Sequence, residues 1–259
     1  MIRGLYTSGW SMMANNKKMD VIANNLANAS TAGFKKDGVV FEGFPDVLAR
    51  RLNDTRSTLN RDGRLGNMQI SHDIGTAYTD FTNGTLIKTD SKMDAAISGS
   101  RNAFFTVLLP DEQGDAIEMY TRDGSFSVDN NGVLVTKEGF PVSGVNGLIV
   151  LKSEDFSIND DGTIVQDGQI VGKLRIKQFQ SSDVLRKYGM NLYFAPEDAE
   201  EEVFTGTVRQ GFLEQSNVDV VREMVDMISV MRAYEANQKM IQTQDAMLDK
   251  AVNEVGALR

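Results

Sequence analysis

The stretch MDVIANNLANASTAGFK, residues 19–35, combines an apolar repeat with closely spaced amides. The repeat begins upstream of this stretch and places apolar residues at seven-residue spacing, at Leu5, Met12, Met19 and Leu26. Two further apolar residues, Ile22 and Ala29, lie beside them. This period predicts a helix over residues 4–31 with a coiled-coil-like seam, closed by Gly33 as its C′ residue. Asn at positions 24, 25 and 28 costs roughly 0.5–0.7 kcal/mol per residue relative to Ala in a helix. We therefore interpret this helix as one built to pack against other protein chains.

The carboxyl end of the chain carries a longer pattern of the same kind. Residues 218–257 contain no Pro, and no Gly before Gly256. Alternate steps of four and three residues define eleven positions, of which nine are apolar and two, Gln238 and Asp245, are polar. The eleven positions are Val220, Met224, Met227, Met231, Tyr234, Gln238, Ile241, Asp245, Leu248, Val252 and Val255. A sustained heptad over this length is typical of a coiled coil. We expect the two terminal helices to pair with each other.

Between the helices the sequence changes to short alternating runs rich in Gly, Thr, Val and Asn. FSVDNNGVLV at 126–135 is echoed by FSINDDGTIV at 156–165. The pairs Asn131-Gly132 and Asp161-Gly162 predict β-hairpins with tight primed turns, which need positive φ. This part of the chain is therefore predicted to be a mostly β domain.

Residues 36–74 have no clear period. FEGFPDVLARRL, residues 41–52, is a candidate short helix, and the rest is typical of an extended arm that lies against something else. The predicted fold class is α+β: two long terminal helices paired as a coiled-coil-like core, with an inserted mostly β domain and an extended connector. The expected boundaries are 1–34 for the first helix, 35–75 for the connector, 76–215 for the β domain and 216–259 for the last helix.

Composition excludes several classes of function. The 259 residues include no Cys, so zinc thiolates and thiol nucleophiles are excluded, and the single His, His72, is the residue around which any Ser-His-Asp triad would have to be built. A net charge of −9 does not favour nucleic acid. Residues 1–64 carry ten Lys/Arg and six Asp/Glu. This excess of basic residues indicates either ordinary solvated surface or charge-complementary stacking of copies.

Neither metal nor catalytic chemistry is indicated by the acidic residues. The turns DNNG and NDDG lack the spacing of a calcium-binding EF-hand loop. The acidic residues at 197–202 are typical of a solvated loop. A wall glycosidase would need two carboxylates about 5–9 Å apart across a cleft, and no cleft motif is recognisable. The first sixteen residues are too polar for the apolar part of a cleaved signal peptide, and no run of about 18 apolar residues indicates membrane insertion.

The terminal patterns resemble a known family. MDVIANNLANASTAGFK is similar to the amino-terminal signature of bacterial flagellar rod, hook and hook-associated proteins. SNVDVVREMVDMISVMRAYEANQKMIQTQDAMLDKAV, residues 216–252, is similar to the matching carboxyl-terminal signature. FFTV at 104–107 and YTRDGSFSVDNNGVLVTKEGFPV at 120–142 resemble the inserted β domain of the FlgF/FlgG-type rod proteins. The run SGSRNAFF, residues 98–105, departs from the family, which commonly has a Gly-rich run before the double Phe.

The resemblance implies a structural subunit of the flagellar basal-body rod, with no enzymatic activity and no cofactor. Such proteins leave the cell through the flagellar type III export apparatus without a cleaved signal and assemble as a helical tube that transmits torque around a central channel. The implied partners are copies of the chain, neighbouring rod and hook proteins and the export apparatus, with no nucleic acid. The alternatives are a hook-type axial subunit and a secreted coiled-coil adhesin whose β domain binds a ligand.

The assembly interface is expected on both terminal helices. Buried amides there would hydrogen-bond across subunits, and an unpaired amide would cost about 1–3 kcal/mol, which penalises wrong registers. The expected interface residues are Leu5, Met12, Met19, Ile22, Asn24, Asn25, Leu26, Asn28, Met224, Met227, Met231, Tyr234, Asn237, Gln238, Ile241 and Leu248.

Overall fold

A computed structural model of the chain describes residues 2–43, 47–50, 64–68, 72–110, 116–153, 155–189, 191–196 and 198–255. The chain divides into two compact units. Unit 1 comprises Met1–Asn24, Asp37–Tyr78 and Val221–Arg259, and unit 2 comprises Asn25–Lys36 and Thr79–Val220. Long helices dominate the described part of unit 1, whereas strands dominate unit 2. The predicted α+β class is confirmed.

Two long helices supply most of the described part of unit 1. Helix α1 spans Ile2–Ala27, and helix α2 spans Val220–Lys250 and continues into a π-helical turn at Ala251–Val255. Glu223 in the first turn of α2 and Lys250 in its last turn both complement the helix dipole. Helix α1 has neither an acidic first turn nor a basic last turn, so it depends more on packing than on its own propensity.

Helix α1 ends four residues earlier than the sequence period predicts. The N–H of Asn28 donates to Asn25 O at 3.2 Å, and the N–H of Thr31 donates to Asn28 O at 3.1 Å, so tight turns replace helical hydrogen bonds. Asn favours such turns because its side chain competes with the backbone for hydrogen bonds. The prediction that Gly33 is the C′ residue of α1 is therefore wrong. Gly33 instead has a φ of +67° and donates its N–H to Glu214 O at 2.7 Å.

Gly33→Ala is expected to lower the free energy of unfolding of unit 2 by about 2–4 kcal/mol, since a left-handed conformation and a steric clash combine. A Cβ at position 33 would lie 2.4 Å from the carbonyl carbon of Arg122 and 2.4 Å from the nitrogen of Asp123, both backbone atoms. Urea unfolding followed by circular dichroism measures the loss.

Gly139→Ala is the matched control for this clash. Gly139 also has a positive φ, of +90°, but a Cβ there would meet no atom within 4 Å. Only the conformational cost of about 1 kcal/mol then remains. Equal losses of stability in the two variants would show that the contact with the Arg122 backbone is unimportant.

The connector is a two-stranded ribbon made of antiparallel segments: β1 (Asp37–Gly43) pairs with β4 (His72–Thr79), and β2 (Val47–Arg50) pairs with β3 (Arg64–Met68). Gly38 lies against the Tyr78 ring and Gly75 lies against the Glu42 side chain, which gives β1 and β4 opposite directions. The expected extended connector is thus, where it is described, a paired ribbon.

The short helix predicted for residues 41–52 is wrong where the chain is described. Residues 41–43 and 47–50 are strand instead. Gly43 and Pro45 disfavour a helix at this point of the sequence, and the β-branched and aromatic residues before them favour a paired strand. Residues 44–46 and 51–52 lie outside the described part of the chain.

Unit 2 is built from short strands and a 3₁₀ helix at Ser182–Val184. Its strands are β5 (Leu86–Lys88), β6 (Ala95–Ser98), β7 (Ala103–Pro110), β8 (Ala116–Thr121), β9 (Phe126–Val128), β10 (Leu134–Thr136), β11 (Ser143–Gly144), β12 (Gly147–Leu148), β13 (Ser157–Ile158), β14 (Thr163–Gln166), β15 (Gln169–Lys173), β16 (Ile176–Phe179), β17 (Arg186–Gly189), β18 (Leu192–Phe194), β19 (Glu201–Glu202), β20 (Thr207–Gln210) and β21 (Phe212–Glu214).

The main sheet of unit 2 has six antiparallel strands in the order β17-β18-β8-β7-β16-β19. Side chains on both faces of β7 are buried from Ala103 to Val107, which explains why Thr106 is the only polar residue in the run AFFTVLL. Phe105 contributes to a large, mostly aliphatic core. Its neighbour Phe104 points to the opposite face, because successive side chains alternate, and joins a second core rich in aromatic rings.

The two repeated decapeptides both form hairpins, as predicted: β9 pairs with β10, and β13 pairs with β14. The prediction of a two-residue primed turn is wrong. In each turn only the glycine has a positive φ, +80° at Gly132 and +82° at Gly162. Gly132 N–H donates to Asp129 O at 2.8 Å and Gly162 N–H donates to Asn159 O at 2.9 Å, which is typical of a longer loop with a left-handed glycine.

Candidate assembly interface

The amino-terminal part of α2 exposes an apolar stripe. Met224, Ile228 and Met231 are four and three residues apart, so they lie on one face of the helix. Their exposed fractions are 44%, 51% and 47%. Val221 and Val225 lie beside them and are also exposed. We call these five residues the α2 stripe; exposed apolar side chains grouped in this way are typical of protein–protein interaction surfaces.

A second face of α2 is less exposed and repeats with coiled-coil spacing. Its residues follow alternating steps of four and three, at Glu223, Met227, Val230, Tyr234, Asn237, Ile241, Gln244 and Leu248. Five of the interface residues selected from the sequence lie here, namely Met227, Tyr234, Asn237, Ile241 and Leu248. The other three on this helix, Met224, Met231 and Gln238, are exposed. The apolar repeat in the sequence therefore combines positions from two neighbouring faces of the helix.

Helix α1 presents the selected residues with a similar division. Ile22 and Asn25 are buried, whereas Asn24 is exposed. The remaining selected residues are half-buried: Leu5, Met12, Met19 and Leu26 within the helix, and Asn28 in the turn after it. Tyr6 and Met13 are exposed at 60% and 54% and add apolar surface that the seven-residue period does not include.

The two helices approach each other near the start of α1. A Cβ added at Gly4 would lie 2.3 Å from Nε2 of Gln244, so the Gln244 side chain lies directly over the glycine. The missing side chain at position 4 is what allows this close approach. The structure thus brings one end of α1 to the carboxyl-terminal half of α2.

A buried ionic cluster in unit 2 was not anticipated from the sequence. Lys35 Nζ lies 2.6 Å from Glu214 Oε1, and Arg122 Nη1 lies 3.2 Å from Glu214 Oε2. All three side chains are at most 2% exposed. We call Lys35, Arg122 and Glu214 the ionic clasp.

Hydrogen bonds complete the surroundings of Lys35 and Glu214. Lys35 Nζ also donates to Thr82 O at 2.8 Å. Glu214 Oε1 accepts a further bond from the N–H of Gly84 at 2.9 Å. Burial lowers the pKa of Lys35, although the attraction of Glu214 opposes this effect. Both oxygens of the buried carboxylate are therefore used, and each faces a cation.

Arg122 holds its position through contacts with the main sheet and the loop before it. Its Nη2 donates to Ser100 O at 2.5 Å and to Arg101 O at 2.6 Å. The guanidinium lies over the Phe104 ring, 5.2 Å from the ring centroid, at a distance typical of a cation–π contact. Arg122 is thus fixed from several sides, and Glu214 binds to a charge that has little freedom to move.

The clasp could not be recognised in the sequence because its members are far apart in it. Lys35 and Glu214 are separated by 179 residues, and Arg122 and Glu214 by 92. Buried ion pairs add little net stability, since desolvation offsets much of the attraction, but removing one partner costs about 3–5 kcal/mol. The one local signal was a Lys directly after Gly33 and Phe34, in the segment that follows α1.

Other candidate sites carry no such arrangement. Among the described residues, no cluster of His, Asp and Glu is arranged to hold a metal ion. The acidic residues 198 and 200–202 are partly or fully exposed, while Glu197 lies outside the described residues. Asp161 accepts from Thr163 within its own turn, which is turn chemistry. No described helix combines the length and the hydropathy that crossing a membrane requires.

Three family models match successive parts of the chain. Residues 5–35, which cover most of α1, match "Flagella basal body rod protein". Residues 96–166 match "Flagellar hook protein FlgE/F/G D1 domain", and residues 209–254 match "Flagellar basal body rod FlgEFG protein C-terminal". The matches therefore include both terminal helices and the centre of unit 2.

Curated relatives match over nearly the whole chain. The flagellar basal-body rod protein FlgG of Buchnera aphidicola subsp. Acyrthosiphon pisum is 38% identical, over 96% of this chain and 98% of the relative. FlgG of Bacillus subtilis is 35% identical, over 98% of this chain and 99% of the relative. The flagellar hook-basal body complex protein FlhO of Bacillus subtilis is 29% identical over 100% of both. The relatives are structural proteins, and the matching models indicate no catalytic family. The chain therefore belongs to the FlgG/FlgF-type flagellar basal-body rod proteins and is a structural subunit of the flagellar rod.

Proposed function

We propose that the chain assembles with copies of itself into a helical tube that transmits torque and encloses the export channel. The α2 stripe is the observation that carries this proposal. Met224, Ile228 and Met231 keep about half of their surface exposed while the other face of the same helix is largely covered. Burying each such side chain against a neighbour would contribute about 1 kcal/mol, and the contact is repeated at every subunit of a tube.

The charge distribution supports association through unit 1. Unit 1 contains 13 Lys/Arg and 13 Asp/Glu, whereas unit 2 contains 14 Lys/Arg and 23 Asp/Glu. The whole net charge of −9 therefore belongs to unit 2. Copies of a unit with no net charge meet without long-range repulsion. In the proposed tube the two helices of unit 1 pair as a coiled coil.

The proposal extends to partners and to the route of export. The chain binds neighbouring rod and hook proteins at the two ends of its segment. It passes through the flagellar type III export apparatus. The similarity to a hook-basal body complex protein as well as to FlgG supports contacts with both kinds of neighbour.

Asn24→Ala is expected to weaken assembly by about tenfold or more while leaving the monomer folded, because an amide partner in a neighbouring subunit would lose its hydrogen bond. Asn24 is exposed on α1, in contrast to Asn25, which is buried in the monomer. Asn16→Ala is the control, since Asn16 is exposed on the same helix and was not assigned to the interface. Sedimentation of polymer at several protein concentrations measures the effect. Equal critical concentrations for the two variants would remove Asn24 from the interface.

Electron microscopy of cells that lack this gene tests the proposed role. We expect membrane rings to remain while rod segments, hooks and filaments are absent, and the gene supplied in trans should restore them. Rods that are complete but lack hooks would instead support a hook-type subunit. Normal flagella would contradict the proposal.

Mass measurement of the purified protein provides an independent test. A rod subunit should form long polymers above a critical concentration. Small closed oligomers at every concentration would instead favour the secreted adhesin, whose helices would form a short coiled coil.

A further inference from the structure

The chain enters and leaves unit 2 through segments that run side by side. Gly33, after the end of α1, donates its N–H to Glu214 O at 2.7 Å, six residues before α2 begins at Val220. Lys36 N–H donates to Asn217 Oδ1 at 2.8 Å. The segment that follows α1 and the segment that precedes α2 are therefore joined at two points within unit 2.

Asn217 also joins the segment that follows β4 to the same region of unit 2. Its Nδ2 donates to Asp80 O at 2.7 Å and to Thr82 Oγ1 at 3.0 Å. Asp80 N–H in turn donates to Lys36 O at 2.9 Å. The segment after β4 thus joins the other two, so three parts of the chain that are distant in sequence meet in one small region.

Two side chains from the edge of the main sheet anchor the segment after α1. Lys187 Nζ, on β17, donates to Lys35 O at 3.0 Å and lies 4.1 Å from the centroid of the Phe34 ring. Asn191 Nδ2 donates to Ala32 O at 2.8 Å. These contacts orient the backbone around Lys35. The connection between this segment and the one before α2 is made by Glu214 and Asn217.

Glu214 is the member of this network that reaches every part of it. Its two carboxylate oxygens contact Lys35 from the segment after α1, Gly84 from the segment after β4, and Arg122, which the main sheet fixes. An apolar residue could fill the same volume, but a carboxylate that is hydrogen-bonded between two cations also fixes the direction in which each of the three side chains points and the distances between them. A buried ionic cluster adds little net stability. What distinguishes it from an apolar core is that it fixes the relative positions of the segments that it joins.

We propose that Glu214 is a positioning residue for assembly: through the ionic clasp it fixes the separation and direction of the two segments that lead into α1 and α2. This inference rests on the proposed self-assembly of the terminal helices. In a helical tube each subunit must present both helices to its neighbours in the same arrangement. A spread of arrangements in the free subunit reduces the fraction that is competent to bind, and the apparent affinity falls by that fraction.

Glu214→Gln in the full-length chain tests the inference, since it keeps the side-chain shape and removes the charge between Lys35 and Arg122. We expect its critical concentration for polymerisation to rise by at least about tenfold. Glu118→Gln is the matched control. Glu118 also lies between two cations, with Oε1 at 2.6 Å from Arg175 Nη1 and Oε2 at 3.4 Å from Lys177 Nζ, but it is on β8 and is partly exposed. Its critical concentration should not change.

A distance measurement separates a positioning role from a general loss of folding. The chain contains no Cys, so Ser30→Cys and Gln215→Cys, both at exposed positions of unit 2, provide a single pair of spin-label sites. We expect a narrow distribution of distances between the two labels in the protein that is otherwise unaltered and in the Glu118→Gln variant. The distribution should be broad in the Glu214→Gln variant. Circular dichroism and hydrogen exchange of β7 and β8 should show that the main sheet remains folded in all three proteins.

A triple variant decides the question if Glu214→Gln does not fold. Lys35→Met, Arg122→Met and Glu214→Leu together replace the clasp by apolar side chains, a change that folded proteins tolerate. This variant should fold and still show the broad distribution and the raised critical concentration. Normal assembly with a narrow distribution, in either variant, would overturn the inference. Failure of the unaltered protein to polymerise would instead count against the proposed function.

Discussion

Ile228→Asp is expected to abolish assembly and to leave the monomer folded. Ile228 lies at the centre of the α2 stripe, between Met224 and Met231, and is 51% exposed. In a subunit contact the substitution would lose apolar burial of about 1–2 kcal/mol and would place an unpaired carboxylate there, at a further cost of several kcal/mol. The critical concentration should therefore rise by more than about 100-fold. Sedimentation and electron microscopy of the purified variant measure the loss of polymer.

Val203→Asp is the control for this substitution. Val203 is 85% exposed in unit 2, so it is even more accessible than Ile228 and undergoes the same kind of change. We expect its polymers to form at the normal concentration, and both variants should give the circular dichroism spectrum of the unaltered monomer. If Ile228→Asp polymerises as readily as Val203→Asp, the α2 stripe is not a subunit contact.

Phe104→Ala is expected to lower the free energy of unfolding of the monomer by about 3–5 kcal/mol. The Phe104 ring is fully buried, and its centroid lies 5.7 Å from that of Phe81 and 5.7 Å from that of Tyr193. It also supports the guanidinium of Arg122. The substitution removes these contacts and leaves a cavity on the sheet face that carries the ionic clasp. Urea unfolding monitored by far-ultraviolet circular dichroism measures the change.

Phe194→Ala makes the same substitution at a less buried position of the same sheet. Phe194 lies on β18 and is 39% exposed. We expect it to lose about 1–2 kcal/mol, because part of its surface is already in contact with water. If the two variants lose similar free energies of unfolding, burial in the aromatic core does not make Phe104 more important for stability than Phe194.

The sequence was most informative where the physical signal is local. The hairpins depend on a glycine and a few neighbouring residues, so their positions could be read directly, although the turn type could not. The primed turn requires a positive φ at the residue before the glycine, and Asn131 and Asp161 do not have one. The end of α1 was missed for a related reason: turn hydrogen bonds of Asn28 compete with an apolar period that continues to Ala29.

The long helices show how far an apolar period can be interpreted. Their existence followed from the heptad, because seven-residue spacing places side chains on one side of a helix. The face that is covered did not follow, since Met224 and Glu223 differ by one residue and only packing decides between them. Met224 is 44% exposed and Glu223 is 8% exposed, the reverse of what hydropathy alone would indicate.

By itself the sequence determined the α+β class, the two terminal helices, the two hairpins and the resemblance that family comparison confirmed. Each of these depends on residues within a few turns or strands of one another. Only the tertiary structure decided that the connector is a paired ribbon and that Lys35, Arg122 and Glu214 meet in a buried cluster. Those features depend on contacts across as many as 179 residues, and a single charged side chain gives no sign of which distant partner will neutralise it.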